Sequence, residues 1–251
     1  MLHPLSVCGT IGPMSTSPGA PALGIRATAR REVTARIRAE GRRQLASEGA
    51  AGLSLRAIAR ELGMVSSAVY RYVPSRDALL TELILESYSA LADVAEAANA
   101  SVPDQDDLEA RWRAVWRAIR GWAFAHPHDY ALLYGSPVPG YRAPQDTVAP
   151  ASRVTGSFAA LLVPLATAGG SVPVPVAVPE SLSASLESTR AFVGEGVPDD
   201  LLLRGLMAWA GMFGAISFEL FGQYEGAFAD RDTYFDYVID QWFVLLGGPP
   251  A

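Results

Sequence analysis

The chain has 251 residues, of which 50% are hydrophobic and 18% are charged, so it is too apolar to be intrinsically disordered. Its longest uncharged apolar stretch in a helical pattern, 205–218, has 14 residues, whereas a membrane-spanning helix needs about 20. A single cysteine, Cys8, excludes an intramolecular disulfide, and the N-terminus has no signal-peptide pattern. We therefore expect a soluble cytoplasmic protein with no membrane partner.

The charge is distributed unevenly along the chain. Residues 1–76 contain 11 arginines and four acidic residues, a balance of +7, whereas the remaining 175 residues contain nine arginines and 22 acidic residues, a balance of −13. A basic N-terminal unit joined to an acidic remainder indicates a polyanion-binding head. A solvated basic helix without a ligand would give the same balance, so charge alone leaves both interpretations open.

The N-terminal third is predicted to be helical after a flexible tail. Residues 1–25 are uncharged and rich in proline, glycine and serine, which is typical of a flexible segment. A charged helix is predicted from about residue 27 to residue 48. Ser54 then begins a short helix that Gly63 ends, and Ser66 begins a second short helix. After Pro74, Ser75 is predicted to cap a long helix.

The two short helices and their glycine-containing turn predict a helix-turn-helix, whose second helix can lie in the major groove of DNA. The residues predicted to face inward are Ile58, Ala59, Leu62, Val65 and Val69. Ser66, Ser67, Ala68 and Arg71 are predicted to face the bases. Donors suited to phosphate oxygens surround them. The complete set of predicted DNA-binding residues is Ser54, Arg56, Ser66, Ser67, Ala68, Tyr70, Arg71, Tyr72 and Arg76. A scaffold without a DNA-binding role remains the alternative on pattern alone.

Residues 28–92 resemble the DNA-binding region of the tetracycline-repressor (TetR) family. Ala59 to Gly63 match its Ala-x-x-Leu-Gly pattern, residues 70–73 stand in place of Tyr-x-His-Phe, and Arg76 stands where a lysine is usual. The resemblance implies an all-α fold with an N-terminal three-helix helix-turn-helix DNA-binding domain and a larger helical domain for ligand binding and dimerisation. The boundaries predicted are 1–25 for the tail, 26–75 for the DNA-binding domain and 76–251 for the larger domain.

The acidic remainder is also predicted to be helical. Strong helical patterns cover 108–125, 147–167, 198–222 and 231–246. Residues 126–130 are predicted to end the first of these helices and to start a short helix that ends near residues 134–135, and a weak helix is predicted near 181–193. The Val-Pro repeats of 169–180 predict an extended or disordered linker. The segment 112–144 resembles the C-terminal type named for a Trp-His-Gly motif, although the triplet here is Trp209-Ala210-Gly211.

Aromatic side chains at helical spacing in this remainder suggest either a hydrophobic core or a pocket for a small-molecule effector. The candidate effector-binding residues are Trp112, Trp116, Phe124, Tyr130, Tyr134, Trp209 and Phe213. His126, His128 and Asp129 are more typical of a helix cap and surface positions than of a metal site. We expect no metal, no cofactor and no catalytic set.

The last two predicted helices suggest a dimer. The first is apolar around most of its circumference, and three glycines inside it, Gly205, Gly211 and Gly214, suggest close helix approach. Two such helices from each of two chains would form a four-helix interface with two-fold symmetry.

These features predict a ligand-responsive transcriptional regulator and not an enzyme. We expect a repressor that binds a palindromic double-stranded DNA operator as a homodimer and is released by a small-molecule effector. The alternative is a helical enzyme or interaction module whose basic head does not bind DNA specifically.

Overall fold

The computed structural model describes residues 24–168, 176–194 and 196–249. Nearly all of the predicted tail, including Cys8, and residues 169–175 of the predicted linker lie outside the described residues. Within those ranges the chain forms eleven α-helices, one 3-10 turn at Gln145–Thr147 and no strand, which confirms the all-α prediction. The helices are α1 (Ile25–Gly52), α2 (Leu55–Glu61), α3 (Ser66–Val69), α4 (Arg76–Ser101), α5 (Leu108–Ala125), α6 (Pro127–Tyr134), α7 (Val148–Ala168), α8 (Glu180–Ala184), α9 (Glu187–Val193), α10 (Asp199–Leu220) and α11 (Arg231–Leu245).

Short-range signals account for most helix ends near the N-terminus. Gly49 adopts a φ of 70° and kinks α1 near its predicted end. The Ser54 hydroxyl accepts a hydrogen bond from the Ala57 amide, and the Ser75 hydroxyl caps α4 in the same way. Gly63 has a φ of 66°, a left-handed conformation that glycine adopts without a steric penalty.

Helix α3 differs from its prediction in three respects. Val65, and not Ser66, occupies the N-cap position, and no side chain caps the helix. The helix ends at Val69, so Tyr70 and Tyr72 follow it in a turn. Val65 is 71% exposed and does not face the core, whereas Ala68 is 8% exposed and does not face outward as predicted. Because α3 has only four residues, its contacts with its neighbours outweigh its own helical periodicity.

Two hydrophobic clusters organise the molecule, and α4 belongs to both. Its first half contributes Leu79, Leu80, Leu83 and Ile84 to a cluster with α1, α2 and α3. Its second half contributes residues from Leu91 onward to a larger cluster with α5, α6, α7, α10 and α11. The predicted boundary at residue 75 stays a prediction, but the N-terminal cluster continues past it into α4.

Helices α7 and α10 are long and apolar enough to cross a membrane by length and composition alone. Both, however, bury several side chains in the larger cluster, including Phe158, Leu162, Met212 and Ile216. Core helices of soluble proteins pass the same test, and packing inside the protein accounts for the apolar side chains that these two helices bury.

Two of the three glycines of α10 make close contacts within the chain. A Cβ atom at Gly205 would lie 2.8 Å from Leu162 of α7, and one at Gly211 would lie 2.3 Å from the Trp242 ring of α11. A Cβ atom at Gly214 would meet nothing within 4 Å. The close approach predicted for a partner chain is therefore made at two of these positions by the chain itself.

Candidate nucleic-acid interface and effector site

The surface around α3 is exposed, while the cluster beneath it is tightly packed. Ile58 and Val69 are fully buried and hold α2 against α3. On the outside, Ser66 and Ser67 of α3 are exposed, as are Tyr70 and Arg71 in the following turn and Arg56 on α2. A rigid corner with short polar groups and arginines on its outer side suits an approach to base edges and phosphates.

Two predicted DNA-binding residues have their polar groups engaged inside the protein. The Ser54 hydroxyl caps α2. The Arg76 guanidinium donates to the backbone carbonyl of Ala50 at 2.8 Å and to that of Leu53 at 3.2 Å. Arg76 therefore satisfies carbonyls at the end of α1, which helps to fix α1 relative to α4. A phosphate contact by Arg76 would have to share or replace these bonds.

Sequence reasoning missed Arg30, which supports the α3 surface from the side. Its guanidinium donates to the Arg71 backbone carbonyl at 3.0 Å and lies 5.4 Å from the centre of the Tyr72 ring. The only sequence signal is its position in the basic helix, because 41 residues separate it from Arg71. Exposed arginines of α1 without an acidic partner among the described residues extend the positive surface: Arg26, Arg31 and Arg36.

The predicted effector aromatics are brought together, but mainly as core. Trp112 and Trp116 are almost completely buried, and the Trp112 indole donates to the Ile239 carbonyl at 2.8 Å. The Tyr130 hydroxyl donates to the Phe213 carbonyl at 3.1 Å, and burial raises the pKa of Tyr130 to about 12.

The other predicted aromatics differ in their surroundings. Tyr134 and Trp209 pack on Phe213 with ring centres 4.3 and 4.6 Å apart, and burial raises the pKa of Tyr134. Phe124 stands apart: it is 43% exposed, with the Arg120 guanidinium 5.3 Å from its ring centre. Six of the seven residues thus form one packed aromatic cluster, a geometry that favours a structural role.

A cleft of about 550 Å³ lies beside this cluster, between α4, α6, the following loop and α7. Its lining includes Ile84, Tyr88, Leu133, Tyr141 and Ala151, and none of the seven predicted aromatics. Tyr88 connects the cleft to the cluster, since its ring packs edge-on against Tyr134 at 6.3 Å. The sequence held no signal for this cleft, because it joins segments that are far apart along the chain.

Charged side chains tie α1 to α4 and α6. Arg38 pairs with Glu82 at 2.7 Å and with Glu86 at 2.8 Å, and Arg42 pairs with Glu86 at 2.9 Å. Arg42 also pairs with Asp129 of α6.

Asp129 is the end of this network on α6. It accepts a hydrogen bond from the Ser87 hydroxyl of α4 at 2.6 Å, in addition to its pair with Arg42. The N-terminal helix is therefore linked through ion pairs to the helix that borders the cleft. We call these residues the Arg42–Asp129 link: Arg42, Glu86, Ser87 and Asp129.

Comparison with known proteins identifies the family. A model described as "Bacterial regulatory proteins, tetR family" matches residues 37–83, and one described as "Tetracyclin repressor-like, C-terminal domain" matches residues 112–242. The HTH-type transcriptional regulator Rv1816 of Mycobacterium tuberculosis is 49% identical over 208 residues, which cover 80% of this chain and 86% of that protein. The chain belongs to the TetR family. It is a helix-turn-helix transcriptional regulator and not an enzyme.

Solved structures agree with this assignment. The crystal structure of the regulatory protein SCO4313 is similar with a TM-score of 0.70 and 34% identity, covering 87% of this chain and 98% of that one. A tetR family transcription regulator from Shewanella sp. PV-4 shares the fold at a TM-score of 0.55 and 20% identity, over 82% of this chain and 95% of that one. The Trp-His-Gly subtype stays a prediction.

Proposed function

We propose that this TetR-family regulator binds a palindromic operator as a homodimer, represses transcription there, and is released by a small-molecule effector. The observation that supports it most directly is the exposed outer side of the helix-turn-helix, where Ser67, Tyr70 and Arg71 are free to meet DNA above a fully buried core. Such a regulator acts where the DNA is, in the cytoplasm.

A dimer through α10 and α11 fits the apolar surface that these helices leave uncovered. Met207 and Phe218 of α10 are 60% and 53% exposed, and Tyr237 of α11 is 59% exposed. Gly214 presents an open backbone on the same helix as Met207 and Phe218, which would let a second helix approach closely. Pairing two copies here with two-fold symmetry would present two α3 helices to successive major grooves, about 34 Å apart.

The experiment that tests operator binding is selection of bound fragments from genomic DNA by the purified protein, followed by affinity measurements on single-base variants of the selected site. We expect an inverted repeat and a steep decrease of affinity with salt. Arg71→Ala should weaken binding by about 1–3 kcal/mol and relax the preference at one position of each half-site. Tyr70→Ala should weaken binding to all variants alike.

Arg142→Ala is the matched control, because Arg142 is an exposed arginine of the acidic body, distant in sequence from the helix-turn-helix. It should leave operator affinity unchanged. Binding that is equally strong for every fragment, or an Arg142→Ala variant as weak as Arg71→Ala, would contradict sequence-specific recognition. Either result would favour an interaction module with a basic head.

A further inference from the structure

We propose that the cleft between α4, α6 and α7 is the effector site, and that it takes an uncharged, mainly apolar molecule with one oxygen group that hydrogen-bonds Tyr88. This inference rests on the proposed effector response and adds to it the place and the chemistry of the ligand. A volume of about 550 Å³ lies within the range of small-molecule sites in proteins.

The lining determines the class of ligand. The described side chains that line the cleft are aliphatic, aromatic or hydroxyl-bearing, and none of them carries a charge. Leu132, Leu133 and Val148 supply apolar surface on both sides. A carboxylate or ammonium group in this cleft would lose hydration without gaining a charged partner among these residues, so a neutral ligand is favoured.

Two hydroxyls that line the cleft, those of Tyr88 and Ser136, form no hydrogen bond to a described residue; Ser136 is exposed to solvent, so Tyr88 is the more buried of the two. Tyr141 bonds with Thr81 at 2.9 Å, and the hydroxyls of Thr147 and Ser152 each donate to a backbone carbonyl at 2.8 Å. The Tyr88 hydroxyl forms no hydrogen bond to any residue that the structure describes, although the side chain is half-buried and burial raises its pKa. A half-buried phenol without a partner can donate to a carbonyl, ether or hydroxyl oxygen of the ligand.

The position of α6 explains how occupation of the cleft would reach the DNA-binding helices. Leu132 of α6 lines the cleft and also lines a second space of about 260 Å³ between α6 and the end of α1, near Leu45 and Ala50. Helix α6 therefore has an open space on each side. A ligand that binds against Leu132 and Leu133 can displace α6 toward α1, and it acts through whatever difference in affinity it has for the two positions.

The test uses a matched pair of probes on the full chain: 2-naphthol, which is neutral at pH 7, and 2-naphthoate, which is anionic and similar in size. Dissociation constants are measured by ligand-observed NMR up to 2 mM. We expect 2-naphthol to bind at least tenfold more tightly than 2-naphthoate. Tyr88→Phe should weaken 2-naphthol binding about fivefold, the effect of one lost neutral hydrogen bond.

A blocking variant locates the binding. Ala151→Phe places a ring in the cleft, and Ala160→Phe places the same ring at an exposed position of the same helix. We expect Ala151→Phe to abolish 2-naphthol binding and Ala160→Phe to leave it unchanged, with circular dichroism confirming that both variants are folded. The hydroxyl variant Thr155→Val, a small change within the lining, provides a second measurement if Ala151→Phe does not fold; it should change 2-naphthol affinity by at least twofold.

Three outcomes would overturn the inference: no 2-naphthol binding at 2 mM, equal or tighter binding of 2-naphthoate, or 2-naphthol binding that neither cleft variant changes. Operator affinity of the unliganded protein is measured separately. If operator binding is intact while 2-naphthol fails, the cleft assignment is wrong and the regulator proposal stands. If sequence-specific operator binding is absent, the regulator proposal fails, whatever the probes do.

Discussion

At the scale of single residues, the buried ion pair of Arg120 and Glu219 joins α5 to α10. Two hydrogen bonds of 2.8 and 2.6 Å connect the guanidinium to a carboxylate whose residue is 6% exposed, and Asp232 of α11 adds a third contact. The bonds to Glu219 raise the pKa of Arg120. The same helix carries an exposed counterpart, Arg117, which pairs bidentately with Asp236.

We expect Arg120→Met to lower the free energy of unfolding by about 3–5 kcal/mol, because it leaves the Glu219 carboxylate buried without a partner. The double variant Arg120→Met/Glu219→Leu should recover most of this loss. Arg117→Met, the exposed control, should lower the free energy of unfolding by less than about 1 kcal/mol. Urea denaturation measures the stability of the three variants. Similar losses for Arg117→Met and Arg120→Met would show that burial of the ion pair does not determine the loss of stability.

Tyr130 gives a pH-dependent prediction. In the unfolded chain its hydroxyl ionises near pH 10, whereas burial raises the pKa in the folded protein to about 12. Ionisation thus favours the unfolded chain between these values, so the stabilising contribution is complete below pH 10 and is lost as the pH rises from 10 to 12.

The variant Tyr130→Phe removes this titration and the two hydrogen bonds of the hydroxyl, to the Phe213 carbonyl and with the Ser217 hydroxyl. Its free energy of unfolding at pH 8 should be about 1 kcal/mol lower than that of the unmodified chain. Between pH 10 and 12 the free energy of unfolding should fall less in the variant than in the unmodified chain, and the difference should reach about 2–3 kcal/mol at most. Parallel pH curves for the two proteins, from urea denaturation, would show that Tyr130 ionises normally when folded.

At the scale of elements, the sequence predicted correctly the roles of residues whose contacts lie within a few positions along the chain. Ser54, Gly63 and Ser75 act within a helical turn, so their roles follow from the sequence alone. The outward orientation predicted for Ala68 was wrong, and the bonds of Arg76 to the end of α1 were not foreseen, because the surroundings of both residues come from other helices. The cleft could not be foreseen at all, since it exists only after α4, α6 and α7 have packed.

Two glycines of α10 allow contacts inside the chain and contacts between chains to be tested separately. Gly211→Ala should lower the free energy of unfolding by about 1–3 kcal/mol, because its Cβ would overlap the Trp242 ring. Gly214→Leu should leave the monomer stable, since a Cβ there meets nothing within 4 Å, but weaken dimerisation at least tenfold.

Sedimentation equilibrium across a range of micromolar concentrations measures the association, and urea denaturation measures the fold. Gly214→Ala is the smaller control and should dimerise nearly as well as the unmodified chain. A dimer of undiminished strength in Gly214→Leu would place the interface elsewhere, and a stable monomer of the unmodified chain would exclude the proposed dimer.

At the scale of the whole molecule, the Arg42–Asp129 link holds α6 against the N-terminal helices. Asp129 is 17% exposed in its side chain and binds two elements at once. We expect Asp129→Asn to speed amide hydrogen exchange in α6 by about 10- to 100-fold, because a charge-assisted hydrogen bond contributes about 1.5–3 kcal/mol to holding the helix closed. Exchange in α5 should not change.

The control for this measurement is Glu96→Gln, which weakens an exposed pair with Arg153. It should leave exchange in α6 as it is. If Asp129→Asn leaves the exchange of α6 unchanged as well, apolar contacts hold the helix in place. The ion pairs then balance charge without stabilising the position of α6.

The membership of α4 in both clusters has a practical consequence for building hybrid regulators. A fragment that ends at residue 75 would lack Leu79, Leu80, Leu83 and Ile84, all of them buried in the N-terminal cluster. Exchanging operator specificity between relatives therefore requires a junction after Ile84, with the first half of α4 moved together with the head. A graft at residue 75 would pack the N-terminal cluster against the first half of another protein's α4, and the mismatched side chains would destabilise the DNA-binding helices.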